Sequence, residues 1–343
     1  MNDKFSHSTS EQPLVSVPFP VYNGAAYLRE ALQSILDQTY TNFEIIIIDD
    51  GSKDESAAIV NRFSDTRIKF QTQVNQGLAA TLNNTISLAK GKYLARQDQD
   101  DISLPQRFEK QVAFLEAHTD HGIIGTWSDI WIGNEKTDRK HEHPSENVLL
   151  QYDLLFNNPF VHSSMMIRTS VLKEVGLYST DTARQPPEDY ELWSRIARKC
   201  KVANIPEILH VYRELPQSMS RTGTNPFLEH VIIISAENIA FAAGLTDSDQ
   251  RALDVAALMN GAYHRFSSKT KLREMGQLCR EAADSICDSS NAPHGVLSER
   301  VHNSYLILRH HYLSAKYGKL YRLIKSCQDK KRNLRQRAGR LLR

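Results

Sequence analysis

With 343 residues, 41% hydrophobic and 24% charged, the chain has a globular make-up, which excludes a fibrous or wholly disordered protein and allows one large domain with a smaller one. The net charge of +2 is uneven: from Lys319 onward ten Lys/Arg face one acid, Asp329, giving about +9 there and leaving about −7 for the rest. No run reaches the ~18 apolar residues of a membrane span, and Cys200, Cys279, Cys287 and Cys327 lack zinc or disulfide spacing, so a reducing cytosol is expected.

The first thirteen residues are polar, without the apolar centre of a signal peptide, and are expected to form a loose tail. Val15–Val21 reads as a strand, although Pro18 is unusual in one. Leu28, Ala31, Leu32, Ile35 and Leu36 recur at helical spacing. Phe43–Ile48 is an apolar run suited to a strand buried on both faces. Ser52 and Glu55 form a capping-box pattern that predicts a helix starting just after Gly51. A strand over 68–74, a helix over 78–89 stopped by Gly91, and a strand over 92–97 come next. Pro105 suits the first turn of a helix carrying Phe108, Val112 and Leu115.

Repeated strand–helix–strand units imply right-handed crossovers and a mostly parallel sheet, with ligands beyond the carboxyl ends of the strands. Acidic residues stand at two such ends: Asp49-Asp50, and Asp98 through Asp101. After about Thr222 the pattern turns helical, with helices expected over 228–242, 250–259 and 305–324 and a breaker-rich boundary at Thr222–Pro226. The expected organisation is a tail over 1–13, an α/β domain over 14–222, a helical region over 223–318 and a basic tail over 319–343.

At Asp98-Gln99-Asp100, strand alternation puts two carboxylates on one side, as hard ligands for Mg²⁺ or Mn²⁺ beside diphosphate oxygens. A solvated acidic turn is the alternative. The wider pattern is specific. Val15-Ser16-Val17 with Pro20 through Gly24, Gln38 through Ile45, Asp49-Asp50-Gly51-Ser52, Ala95 through Asp101 with Leu104-Pro105, and Pro187 through Trp193 occur in that order, with a looser block over Asn158–Ser164. In these blocks the chain resembles a family-2 glycosyltransferase of the GT-A fold, over about residues 14–222.

The resemblance implies a Rossmann-like α/β sheet flanked by helices. It also implies inverting transfer of a sugar from a nucleoside-diphosphate sugar, UDP-linked for preference, to a saccharide or lipid-linked saccharide hydroxyl in bacterial polysaccharide or oligosaccharide assembly. It implies that Pro20 and Tyr22 line the nucleotide pocket and that Asp50 binds the base. Asp98 would contact ribose or metal, and Asp100 would be the main metal ligand. Asp189 would be the general base, with Glu188 its neighbour. An acidic first turn favoured by the helix dipole is the alternative for one of these two. His162 and Trp193 would face the acceptor, or His162 would be a hydrogen-bonded core residue. Asp49 fits a strand-end acid bonded to nearby backbone as well as a ligand contact, and Asp101 fits a cap for the segment after it.

Two positions depart from the family pattern. Leu215 stands two residues after Tyr212-Arg213, where a metal-binding His often occurs, with His210 an uncertain substitute. Leu82 replaces an Arg that often precedes Asn83. Trp127 and Trp131 share a strand face, as core or as a sugar platform. The pairs His141/His143 and His118/His121 lack thiolates and fit solvent-exposed loops better than zinc sites. The basic tail fits an interfacial helix on anionic lipid at the inner membrane face, or a solvated tail. No nucleic-acid fold motif accompanies it. A non-catalytic sugar-binding module and a carboxylate-pair glycoside hydrolase are the other function classes. No G-x-G-x-x-G comes after the first strand and no P-loop is present, which disfavours a dehydrogenase and a P-loop enzyme.

Overall fold

The computed structural model describes residues 12–215 and 227–318. The chain divides into two compact units: one through residues 12–150 and 158–215, the other through 151–157 and 227–318. The boundary at Thr222–Pro226 and the basic tail over 319–343 lie outside the described residues.

The first unit is built on a nine-stranded sheet. Strands β1 (Val15–Val21), β2 (Phe43–Asp49), β3 (Ile68–Thr72) and β4 (Tyr93–Ala95) pair in the order β3-β2-β1-β4, all parallel. Helices α1 (Leu28–Leu36), α2 (Ser56–Val60) and α3 (Leu78–Ser87) make the connections. Every residue of β1 and β2 is buried, as expected of central strands covered on both faces. The apolar stripe of α1 packs into the same core, where each fully buried aliphatic side chain contributes about 1.5–3 kcal/mol.

Pro18 is accommodated by a mismatch in strand length. Strand β4 pairs with β1 only at Val15 and Ser16. Pro18 and Pro20 come after Ser16 on the same alternation, so their missing N–H groups lie where no neighbouring strand requires a donor.

Beyond β4 the sheet becomes mixed. Strands β5 (Ile102–Ser103), β6 (His121–Ile132), β7 (Glu135–His141), β8 (Met166–Arg168) and β9 (Lys201–Glu214) extend it in the order β4-β8-β6-β9-β5, with β7 on β6. Only β6–β9 is parallel here; β4–β8, β6–β8, β6–β7 and β5–β9 are antiparallel. Around them lie α4 (Arg107–Ala117), α5 (Asn147–Asp153), α6 (Thr169–Val175) and α7 (Glu188–Ala197).

Two expected caps are corrected. Helix α2 begins at Ser56 rather than after Gly51, because the Ser52 hydroxyl accepts from Asn23 N at 2.9 Å instead of capping. Asp101 does not act as a cap. It accepts from Arg213 N at 2.8 Å and from the Ser163 hydroxyl, both remote in sequence.

The second unit is helical: α8 (Leu228–Ala242), α9 (Gln250–Met259), α10 (Leu272–Ser290) and α11 (298–318). Within it, buried Ser235 and Asn238 of α8 donate to the carbonyls of Leu155 and Leu154. That pairing satisfies main-chain acceptors of the 151–157 stretch. Among the described residues no helix is long and apolar enough to cross a membrane.

Candidate active site

The expected acidic strand ends are present. Asp49 ends β2 and its Oδ1 accepts from Ser52 N at 2.8 Å, a local turn bond of the kind its sequence suggests. Asp50 is 3% exposed. One of its oxygens accepts from Gln73 Nε2 and Gln76 N, both at 2.8 Å, and the other from Gly77 N at 2.9 Å. A carboxylate offers about four acceptor positions, so one remains for a ligand. Pro20 is buried near the end of β1, while Tyr22 is exposed beyond it.

Strand β4 stops at Ala95, and Gln99-Asp100 form a turn, so strand alternation does not align the two carboxylates. The turn itself brings them together. Burial, then the charge of Asp98, pushes the Asp100 carboxyl up to about 7. The two glutamines flanking Asp98 are braces. Gln97 donates to the carbonyls of Asp98 at 3.0 Å and Asp101 at 2.8 Å. Gln99 accepts from Tyr22 N at 2.8 Å and donates to Tyr22 O at 3.0 Å. Gly24 lies against that brace: a Cβ there would stand 2.3 Å from Gln99 Oε1.

Arg96, directly before this turn, is only 2% exposed. It pairs with Asp98 Oδ1 at 2.6 Å and donates from Nε to His162 Nε2 at 3.3 Å. His162 Nδ1 lies 4.0 Å from Glu188 Oε1. Tyr178 bonds the same His162 Nε2 at 2.9 Å. Burial, then the Arg96 charge, holds the His162 pKa well below its ordinary value, so the ring is neutral.

Glu188 and Asp189 open α7. Asp189 accepts from Asn158 Nδ2 at 2.8 Å and from Tyr190 N at 2.7 Å. Burial, then Asp189, pushes Glu188 up to about 7; burial raises Asp189 to about 6, with Asp98 adding to the shift. The two carboxyls therefore titrate as a linked pair near neutrality, the range a general base requires.

Arg213 anchors the other side of the turn. It donates from Nε to Asp100 O at 2.7 Å, and from its terminal nitrogens to Gly133 O at 2.9 Å and Glu30 Oε2 at 2.7 Å. His210 is turned inward, with Nδ1 3.1 Å from Ser128 Oγ and Nε2 3.7 Å from Asp101 Oδ2. It therefore does not replace a ligand at Leu215, which is itself buried. Leu82 is fully buried in α3.

Trp193 is corrected. It is fully buried, edge-on to His162 at 5.8 Å and Tyr178 at 6.3 Å, and a side chain with no accessible surface cannot touch an acceptor. Trp127 and Trp131 are both half-buried. Trp127 donates to His143 O at 2.7 Å, and the Arg213 guanidinium lies 5.8 Å from the Trp131 ring. The His141 and His143 rings stack at 5.5 Å.

Among the described residues no group of three or more His, Cys, Asp or Glu is arranged to hold a metal. Asp98 and Asp100 nonetheless fit a divalent cation, being hard oxygen ligands whose mutual repulsion such a charge relieves.

Carboxylates thus gather beyond a parallel strand core, beside a buried carboxyl pair at the start of α7. The profile of glycosyl transferase family 2 matches residues 16–176. A putative glycosyltransferase EpsE of Bacillus subtilis (strain 168) is 32% identical over 266 residues, covering 74% of this chain and 94% of the relative. An uncharacterized glycosyltransferase of Haemophilus influenzae is 33% identical over 275 residues, covering 77% and 84%. In fold, the chain resembles S. aureus TarS 1-349 in complex with UDP-GlcNAc, with TM-score 0.59, 17% identity, and 89% and 92% of the two chains covered. It also resembles the mannosyltransferase PcManGT from Pyrobaculum calidifontis in complex with GDP-Man and Mn²⁺, at TM-score 0.50, 16% identity, and 91% and 88% coverage. The chain belongs to glycosyltransferase family 2.

Sequence reading passed over Arg96, Arg213, Tyr178 and Asn158 as site residues. A cation placed directly after a buried strand and before an acidic run was the available signal for Arg96. Tyr178 carried none, because its partner His162 stands 16 residues away in an irregular stretch.

Proposed function

We propose that the chain transfers a sugar from a nucleoside-diphosphate sugar, UDP-linked for preference, to an acceptor hydroxyl with inversion at the anomeric carbon. The observation that carries this reading is the bonded series Asp98–Arg96–His162, with His162 Nδ1 4.0 Å from Glu188 Oε1, which sets a donor-side carboxylate close to the raised carboxyl pair on α7. Asp189 takes the acceptor O–H proton as that oxygen attacks the anomeric carbon. The bond to the diphosphate breaks on the opposite face in the same displacement. A carboxyl titrating near 6 is ionised at neutral pH yet basic enough to assist. Glu188 sits beside it as an acceptor contact, and His162 supports Glu188.

Asp50 offers its remaining acceptor position to a base N–H, between Pro20 and Tyr22. Asp100 and Asp98 would hold Mg²⁺ or Mn²⁺, which neutralises charge on the departing nucleoside diphosphate. The UDP preference is supported by the UDP-GlcNAc bound to TarS, and the cation by the Mn²⁺ with PcManGT. A saccharide or lipid-linked acceptor, with residues 14–222 as the catalytic region, suits a role in polysaccharide assembly, in keeping with the EpsE relative. The basic segment 319–343 would bring the enzyme to an anionic inner membrane surface.

Purified protein, a panel of nucleotide sugars and Mn²⁺ test this reading. Asp189→Asn should cut turnover at least about 100-fold while donor binding changes little. Equal losses in both would assign Asp189 to structure rather than proton transfer.

A further inference from the structure

A buried guanidinium needs an acceptor for its N–H groups. Arg96 finds them in Asp98 Oδ1, in the Gln97 carbonyl and in His162 Nε2. Its main chain is fixed as well: its N–H donates to Met165 O at 2.9 Å, and its carbonyl accepts from buried Arg107 at 2.8 Å. The side chain therefore has little freedom to choose another partner.

His162 stands at the start of a short 3-10 turn, His162–Ser164. A neutral imidazole has one donor and one acceptor nitrogen, and an arginine only donates. The Arg96 N–H, 3.3 Å away, favours Nε2 as the bare nitrogen. The Tyr178 hydroxyl, 2.9 Å from the same nitrogen, then shares its one lone pair as a second donor. The ring proton is left on Nδ1, on the side of Glu188.

We infer that Arg96 is a positioning residue: it selects the Nδ1–H tautomer of His162, so that the ring's one N–H is directed at Glu188 while the same guanidinium holds Asp98. Its kinetic consequence rests on the transferase reading above, whereas the tautomer does not. The charged and titratable groups around Glu188 include Asp189 on its own helix and Arg96, Asp98, Tyr178 and His162 opposite. Of these, only Arg96 and the His162 N–H favour an ionised Glu188. A ring protonated on Nε2 instead would offer Glu188 a bare nitrogen and repel it.

The test is ¹⁵N-histidine NMR on the full chain, with His162 assigned from the spectrum of His162→Gln. Wild type should show a protonated Nδ1 and a bare Nε2 from pH 6 to 8. A protonated Nε2 in wild type overturns the inference, whatever any variant does. In Arg96→Met, a population with Nε2–H should appear, and kcat should fall by about 100-fold, the scale of a misplaced catalytic neighbour. Arg96→Lys keeps the charge but not the fork, and should resemble Arg96→Met in tautomer. Combining Arg96→Met with His162→Gln should cost no more than about threefold beyond the worse single variant, because the two act in series. Wild-type tautomer in both Arg96 variants, or multiplied losses in the double, would refute the role. Failure of wild type to transfer any sugar would instead remove the proposed function and leave the tautomer result standing.

Discussion

Arg213→Ala should loosen the turn that carries Asp98 and Asp100. The Arg213 side chain is about 1% accessible, and the guanidinium lies 4.3 Å from the Tyr27 ring centre. Its pair with Glu30 counts for little, about 0.5 kcal/mol, because Glu30 is half exposed and rehydrates. The carbonyls of Asp100 and Gly133 lose charge-assisted bonds worth roughly 1.5 kcal/mol each. The stack on Tyr27 adds about 1 kcal/mol. Together these come to about 4.5 kcal/mol. All three tryptophans, Trp127, Trp131 and Trp193, lie in the sheet unit, so their fluorescence tracks that unit alone in urea. With a slope near ~3 kcal/mol/M, the midpoint should fall by about 1–1.5 M. Arg213→Lys, a single-point donor, should recover less than half of it. A shift under about 0.3 M in the alanine variant would show that these bonds do not hold the turn.

Raised carboxyls also predict how stability depends on pH. Glu188 and Asp189 titrate near 7 and 6 when folded but near 4 when unfolded, so between those values the folded state binds more protons. Their contribution is therefore full below about pH 4 and is lost as pH rises to about 7. Asp189→Asn should raise the melting temperature at pH 7.5 and do so much less at pH 4.5; an equal gain at both would place the shift elsewhere. In kinetics, the acid limb of kcat should fall as pH drops through about 6–7, where the base becomes protonated, and no such limb should remain in the residual rate of Asp189→Asn. Gly24→Ala should displace the Gln99 side chain and free Tyr22, weakening UDP binding by about tenfold for the two bonds lost. Calorimetry showing an unchanged Kd would mean that Tyr22 needs no brace.

Much of the fold can be read from sequence because apolar period and burial agree. Val15–Val21 and the helices Leu228–Ala242 and Gln250–Met259 have the predicted ends. Local polar rules served less well, because long-range partners outbid them. Ser52 serves Asn23 rather than its own helix, and Asp101 serves Ser163 and Arg213 rather than a cap. The same holds at the site. The acidic residues were visible as residue types at strand ends, whereas Trp193 was misplaced because helix position alone does not reveal which face is buried. In the antiparallel half of the sheet, β5 and β8 had no signature, being two and three residues long. Nor did any pattern mark 151–157 as part of the helical unit.

The most direct test of the account is the anomeric configuration of the product. Proton NMR of the glycoside formed from an α-linked UDP-sugar, with wild type and Asp189→Asn in parallel, reads both the stereochemistry and the base. A β-linked product, formed at least about 100-fold more slowly by Asp189→Asn, is the predicted result. An α-linked product, or a variant as fast as wild type, would contradict single displacement with Asp189 as the base.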